Sequence, residues 1–527
     1  MSRRLACLAA ALAALAALAW AWHEGVLTGP PAGLEAAIAQ DREPRLRPDY
    51  AGVTFPPNIA PMNFVVDEPG EEYFVRLRGT AGEPLEVRRR RPAIVFPPRA
   101  WRAFLAANRG PVHLDVYARA ADGRWQRFRT VTNTVADSPV DPYLVYRLMK
   151  PLYNNYVNVG IYQRRLEGFE EREVLRNTRF DRGCVNCHTF SQGDPSRMVL
   201  HTRGPHGPAM LLAQGGRVAK VDARTAFNPG PAGYSSWHPS GRLLAFSVNR
   251  LSLFFHTVGE TRDVFDADSS LGVYLVESNT VTTAPGLSQP DRNETWPAWS
   301  ADGKYLYFCA APKLPQERFR EVRYDLMRLR YDAEAGAWGE PETVLAARDA
   351  GASLLEPRPS PDGRWLLFCM CDYGNFPVYQ ASSDLALMDL ATGRFRRLAC
   401  NSDRCDSYHS WSSNSRWIVF SSKRGDGVLA RPYVAYLDER GEARKPFVLP
   451  QEDPTYYDSC LRTYNAPELA TAAVPVPPRE FGRVLCEPKA GEELKALLDP
   501  RVPVSAAPAP PPAPEPPSPY GPQNPGG

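Results

Sequence analysis

Four windows of this chain align without a gap: Trp237–Phe246 (WHPSGRLLAF), Trp299–Phe308 (WSADGKYLYF), Pro359–Phe368 (PSPDGRWLLF) and Trp411–Phe420 (WSSNSRWIVF). Each reads as a tight polar turn, a basic residue and an apolar strand, and the turn positions Gly241, Gly303, Gly363 and Ser415 recur after 62, 60 and 52 residues. A unit of that length cannot bury an apolar face alone, so it must stack on copies of itself. Short strands joined by polar turns at this spacing are the pattern of propeller blades with inserted loops. A second element recurs between the windows at Ser270–Leu275, Tyr324–Leu329 and Ser383–Met388, the place of a further strand in each blade. Residues 195–223 supply strands for an opening blade and 428–490 for a closing one, so the expectation is five or six blades over 195–490.

The rest of the chain divides by composition. Arg3 and Arg4 precede an apolar run from Leu5 to Trp22, which reads as a signal peptide or signal anchor over residues 1–22. Eighteen apolar residues just suffice to span a bilayer, and Trp20 and Trp22 stand where an interfacial belt would hold an uncleaved anchor. The remainder is then expected outside the cytoplasm, in the periplasm or cell envelope. Residues 23–50 read as a linker. Over 51–141, alternating runs such as Tyr73–Leu77 and Val112–Tyr117 with turns at Asp122-Gly123 predict a β-sandwich-like domain containing one short helix, Trp101–Asn108. Residues 142–194 are rich in Tyr and Arg and read as a short, partly helical connector. The Pro-rich end, 491–527, reads as a disordered tail. The fold class expected is thus mainly β. With 43% apolar residues and a formal charge of +3, nothing points to a nucleic-acid partner.

The connector carries Cys184-Val185-Asn186-Cys187-His188. C-x-x-C-H is the spacing at which two thiols add to the vinyl groups of one haem while the next His binds the iron. A redox dithiol would open a helix after a strand, and zinc would need a second ligand pair; Cys369-Met370-Cys371 is too tight to supply it. The expectation is one covalent haem c, held by Cys184 and Cys187, with His188 as the proximal ligand. Candidates for the iron's other face are Met198, His201, His206 and Met210. On a strand over 198–203, Met198 and His201 face opposite ways, and His201 is preferred with Met198 as the alternative.

Outside the cytoplasm some thiols should pair. Cys400 and Cys405, flanking a short polar loop, are the disulfide candidate, and Cys460 with Cys486 a weaker one. Cys309, Cys369 and Cys371 read as small buried hydrophobes. His113, His238, His256 and His409 read as packing or surface residues for want of a second ligand nearby in sequence, and Asp263, Asp266 and Asp268 as an acidic insertion rather than a calcium loop.

The windows ending S-x-D-G-[KR]-x-L-x-F, clearest at Ser300–Phe308 and Ser360–Phe368, resemble the PD40 repeats of TolB-like periplasmic β-propellers. The first and fourth windows depart from that pattern at His238-Pro239-Ser240 and Ser413-Asn414-Ser415. The whole layout is similar to bacterial proteins described as cytochrome c biogenesis-like or TolB-like. That resemblance implies a protein-binding propeller and carries over no catalytic residue. The functional expectation is a membrane-anchored monohaem cytochrome c for periplasmic electron transfer, its propeller docking a redox or envelope protein. The alternatives are a binding scaffold with structural haem, or a haem enzyme with an open iron site.

Overall fold

The computed structural model describes residues 26–27, 29–149, 158–253 and 263–503. The apolar N-terminal run and the Pro-rich residues 504–527 lie outside them. Among the described residues no helix is long and apolar enough to cross a membrane.

The chain is mainly β. Six sheets of four or five strands form a ring, because the innermost strand of each touches the innermost strand of the next. This is a β-propeller, with six blades among the described residues. The innermost strands are, in order, Thr463–Ala470, Cys184–Ser191, Ala232–Trp237, Arg292–Trp299, Ser353–Pro359 and Asp406–Trp411. They belong to blades I to VI.

The four repeated windows all fall at one place, the turn from the innermost to the second strand of blades III to VI. In blade IV, Ser300 Oγ donates to Asp302 Oδ1 at 2.7 Å and accepts from the Tyr305 amide at 3.0 Å. Blade V repeats this with Ser360, Asp362 and Trp365. The two windows that depart from the pattern keep the same backbone turn: in the first the Gly241 amide donates to the His238 carbonyl at 2.8 Å, and in the fourth Asn414 stands in for the Asp and Ser415 takes the left-handed φ of 59° held elsewhere by Gly303 at 73°. A side chain there is tolerated at some cost.

The described residues of 142–176 are not a helical connector. They form three strands, Tyr143–Met149, Gly160–Arg165 and Glu171–Arg176, which pair with the C-terminal strand Thr463–Ala470 to make blade I. The ring is therefore closed by a strand from one end of the chain on three from the other. The C-x-x-C-H segment, placed in the same connector, is likewise strand, the innermost of blade II. Nor does the tail begin at 491: Glu493–Lys495 and Leu497–Leu498 add parallel edge strands to the rims of blades II and III.

Ahead of the ring, residues 26–136 form an eight-stranded and a three-stranded sheet with the helix Pro98–Ala107. Their apolar core, including Phe55, Phe64 and Trp101, is continuous with Trp417, Val434 and Phe447 of blade VI. Trp417 is fully buried and its indole donates to the Ser138 carbonyl at 3.1 Å.

Candidate functional site

All six innermost strands carry a one-residue bulge at the same level. It falls between Val185 and His188, Ala232 and Ser235, Thr295 and Ala298, Leu355 and Arg358, Ser407 and His409, and at Ala466-Pro467 opposite Tyr146. Four of the bulged residues have positive φ: Trp296 at 55°, Glu356 at 54°, Tyr408 at 46° and Ala466 at 45°. Non-glycine residues hold such angles only where the surroundings enforce them, at about 1–3 kcal/mol each. Bulges re-aim side chains, and here they turn six segments toward the axis.

The result is a small enclosed space. One cavity of about 30 Å³ is lined by His188, His201, Tyr234, Trp296, Glu356 and Tyr408, among others. A second, of about 20 Å³, adds His409 and Glu468. Tyr234 stacks on Trp296 with ring centroids 3.4 Å apart, and Tyr408 meets Trp296 edge-on at 6.1 Å.

His188 is buried and neither ring nitrogen has a hydrogen-bond partner. Burial outweighs the opposing pull of the nearby Val145 backbone and, with smaller effects from the Arg358 and Arg147 guanidiniums, pushes its pKa down to about 3, so the ring is neutral at every physiological pH. A buried imidazole with two orphaned nitrogens costs stability, about 1–3 kcal/mol per unmade bond. It is also a free ligand atom for a metal. His201 is similarly buried and neutral; its Nε2 lies 2.8 Å from Ser235 Oγ while Nδ1 has no partner.

The structure thus brings His188 and His201 to one cavity. Met198 is elsewhere, packed with Leu200, Phe190 and Val185 in the apolar layer between blades I and II. Met210 sits in the layer between blades II and III, and His206 pairs with Asp181 at 2.7 Å outside the ring. Cys184 is buried with its thiol unpaired, 3.7 Å from an Arg147 guanidinium nitrogen.

Cys400 and Cys405 do not form the disulfide expected of them, and Cys460 and Cys486 are free as well. Cys400 packs in the apolar cluster between blades, while the Cys405 thiol donates to the Pro377 carbonyl at 3.3 Å. Burial pushes both thiols up to about 12, which keeps them protonated and unreactive. The three acidic residues of blade III are dispersed, each to its own partner: Asp263 to Tyr373, Asp266 to Asn249 and Asn375, Asp268 to Lys313.

The donors suit a covalently bound haem: an unpaired Cys184 thiol and a neutral, unpartnered His188 imidazole. The space does not yet admit one. Cavities of 20–30 Å³ hold a water or two, against roughly 300–1,000 Å³ for a cofactor pocket. A porphyrin on these ligands requires the chain around His188 to move apart.

Sequence reading did not find Glu356 or Glu468 and set aside Cys369 and His409. Glu468 is aimed at the axis by the blade I bulge, and its Oε1 accepts from the Phe190 amide at 3.0 Å and Thr189 Oγ1 at 3.1 Å. The signal that could have found these residues is the repeated x-Pro of Trp296-Pro297, Glu356-Pro357 and Ala466-Pro467.

No protein-family model and no curated protein matches the sequence. Among solved structures, the nidogen/laminin complex aligns with a TM-score of 0.36 and 8% identity, over 63% of this chain and 100% of that one. Oligogalacturonate lyase in complex with manganese gives 0.31 and 11%, over 63% and 87%. The Dos1 propeller gives 0.26 and 14%, over 42% and 63%. At this level the likenesses carry no functional argument.

Proposed function

We propose that the protein is an exported c-type cytochrome in which one haem, bound through Cys184, Cys187 and His188, exchanges electrons with a periplasmic or envelope partner docked on the propeller. What carries the reading is His188: the residue that C-x-x-C-H reserves for iron is a buried, neutral imidazole whose ring nitrogens make no hydrogen bond of normal geometry. Haem would supply one-electron exchange. Once the chain around His188 opens, the Arg147 and Arg358 guanidiniums near it would be partners for anionic propionates, and Tyr234, Trp296 and Tyr408 would line the site. A haem c attached outside the cytoplasm also agrees with the apolar N-terminal run as an export or anchoring segment. The ring of short polar turns offers the docking face, in keeping with the resemblance to TolB-like propellers.

The test is co-expression of the full chain with haem-maturation machinery. Covalent haem should survive denaturing electrophoresis and be absent from the Cys184→Ser, Cys187→Ser chain. The spectrum should be six-coordinate and reversibly reducible. Loaded protein should also exchange amide hydrogens faster along 184–191 than unloaded protein, because the packing there must open. Wild-type protein without haem after maturation refutes the proposal. A haem that no donor reduces leaves it structural, and a high-spin iron that binds carbon monoxide makes the protein an enzyme; either outcome removes the electron-transfer role.

A further inference from the structure

We infer that Glu356, Cys369 and His409 form a zinc site beside the axial cavity, separate from C-x-x-C-H. Glu356 lies at the bulge of the innermost strand of blade V, Cys369 on the neighbouring strand Trp365–Cys371, and His409 just past the bulge of blade VI. All three are buried, with exposures of 3%, 0% and 3%. Cys369 Sγ is 3.3 Å from Glu356 Oε2 and 3.6 Å from His409 Nδ1, and those two are 3.9 Å apart. A point equidistant from three atoms so placed lies about 2.1 Å from each, where zinc sits at about 2.0–2.3 Å from N, O and S donors.

The surroundings favour a cation over a plain hydrogen-bonded trio. His409 Nε2 lies 3.2 Å from the Leu367 carbonyl. With the ring proton on Nε2 for that contact, the Nδ1 lone pair faces Cys369 and Glu356. This is the outer-shell arrangement typical of a metal-bound imidazole. Glu356 Oε2 also accepts from the Tyr408 amide at 2.7 Å, while Oε1 is buried with no partner. With Glu356 ionised, one thiol proton faces two acceptors, Oε2 and Nδ1; a divalent ion in place of that proton engages both. The Glu356 backbone is held at a φ of 54° to aim the carboxylate there. A thiolate, an imidazole and a carboxylate form a set that borderline-soft zinc prefers and that calcium and magnesium do not. Glu356 and His409 both border the 20 Å³ cavity, which takes one water as a fourth ligand.

The full chain, stripped with chelator and titrated with zinc alone, should bind one equivalent. Cobalt in its place should give a thiolate-to-cobalt charge-transfer band. Cys369→Ser should abolish the band and weaken zinc binding by at least ~100-fold, beyond what outer-shell changes cost, and His409→Gln should do likewise should the serine chain not fold. The Cys184→Ser, Cys187→Ser chain should keep its zinc, so this inference and the haem proposal fail separately. His206→Ala, which breaks the more exposed set Asp181, His206 and Cys486, should also keep it. Absence of zinc from the wild-type chain, zinc unaffected by both Cys369→Ser and His409→Gln, or zinc lost with His206→Ala overturns the assignment.

Discussion

Asp266 offers a quantitative check on how dry the propeller interior is. Its side chain is 4% exposed, and Oδ2 accepts from Asn249 at 2.9 Å, Asn375 at 3.0 Å and, more weakly, Tyr324 at 3.3 Å. Burial outweighs those bonds and raises the pKa from 3.8 to about 7. A carboxyl whose folded pKa exceeds its unfolded one holds a proton in the folded state that the unfolded chain has already released. Its contribution is therefore full below pH 3.8 and is lost as pH rises to 7, then constant. About three units at 1.36 kcal/mol each make the loss roughly 4 kcal/mol. Asp266→Asn keeps the shape and an acceptor for Asn249 but cannot ionise. Subtracting its urea unfolding free energy from that of the wild type, pH by pH, isolates the one group. The difference should move by about 4 kcal/mol against the wild type between pH 4 and 7.5 and be flat above. Infrared difference spectra should show a protonated carboxyl band at pH 5 that is absent at pH 8.5. A difference that stays within 1 kcal/mol, or rises with pH, would refute the reasoning.

Two further outcomes concern the haem-motif strand and its neighbours. A Cβ on Gly183 would lie 2.5 Å from Phe180 and 2.7 Å from the Arg203 carbonyl, so Gly183→Ala should lower stability by about 1–3 kcal/mol in chemical denaturation; an unchanged midpoint would show that the approach to Cys184 is looser than described. A chain ended at residue 462 loses the innermost strand of blade I and with it the Glu468 bonds to Thr189 and Phe190. It should melt without a cooperative transition and bind hydrophobic dyes, and a sharp melt at the wild-type temperature would rule out closure by that strand.

How much of this was legible in the sequence follows from how local each signal is. The turns Ser300–Gly303 and Ser360–Gly363 are set by contacts two to five residues apart, and four copies of them disclose the repeat. Blade I was misread because Leu144, Val145, Tyr146 and Leu148 are all buried, three of them in the core shared with the N-terminal sheets and one toward blade II. A strand covered on both faces has no two-residue alternation to see. Its partner lies more than 300 residues away at 463–470, and no local pattern announces such a pairing. His188 was legible through C-x-x-C-H. The Glu356, Cys369 and His409 trio was not, since Cys369 and His409 are 40 residues apart and meet only because adjacent blades put the same level of two strands side by side.

Closure by the last strand also sets an order of events. Glu468, which fastens Thr189 and Phe190, is polymerised 279 residues after Thr189, roughly 15–55 s later at ribosomal speeds. Until then the segment bearing Cys184 lacks the strand that supplies the Glu468 bonds, and anything that must reach that sulfur finds one flanking strand missing. Once residues 463–470 arrive the doorway shuts, and the same chemistry attempted on finished protein has to prise the ring apart first.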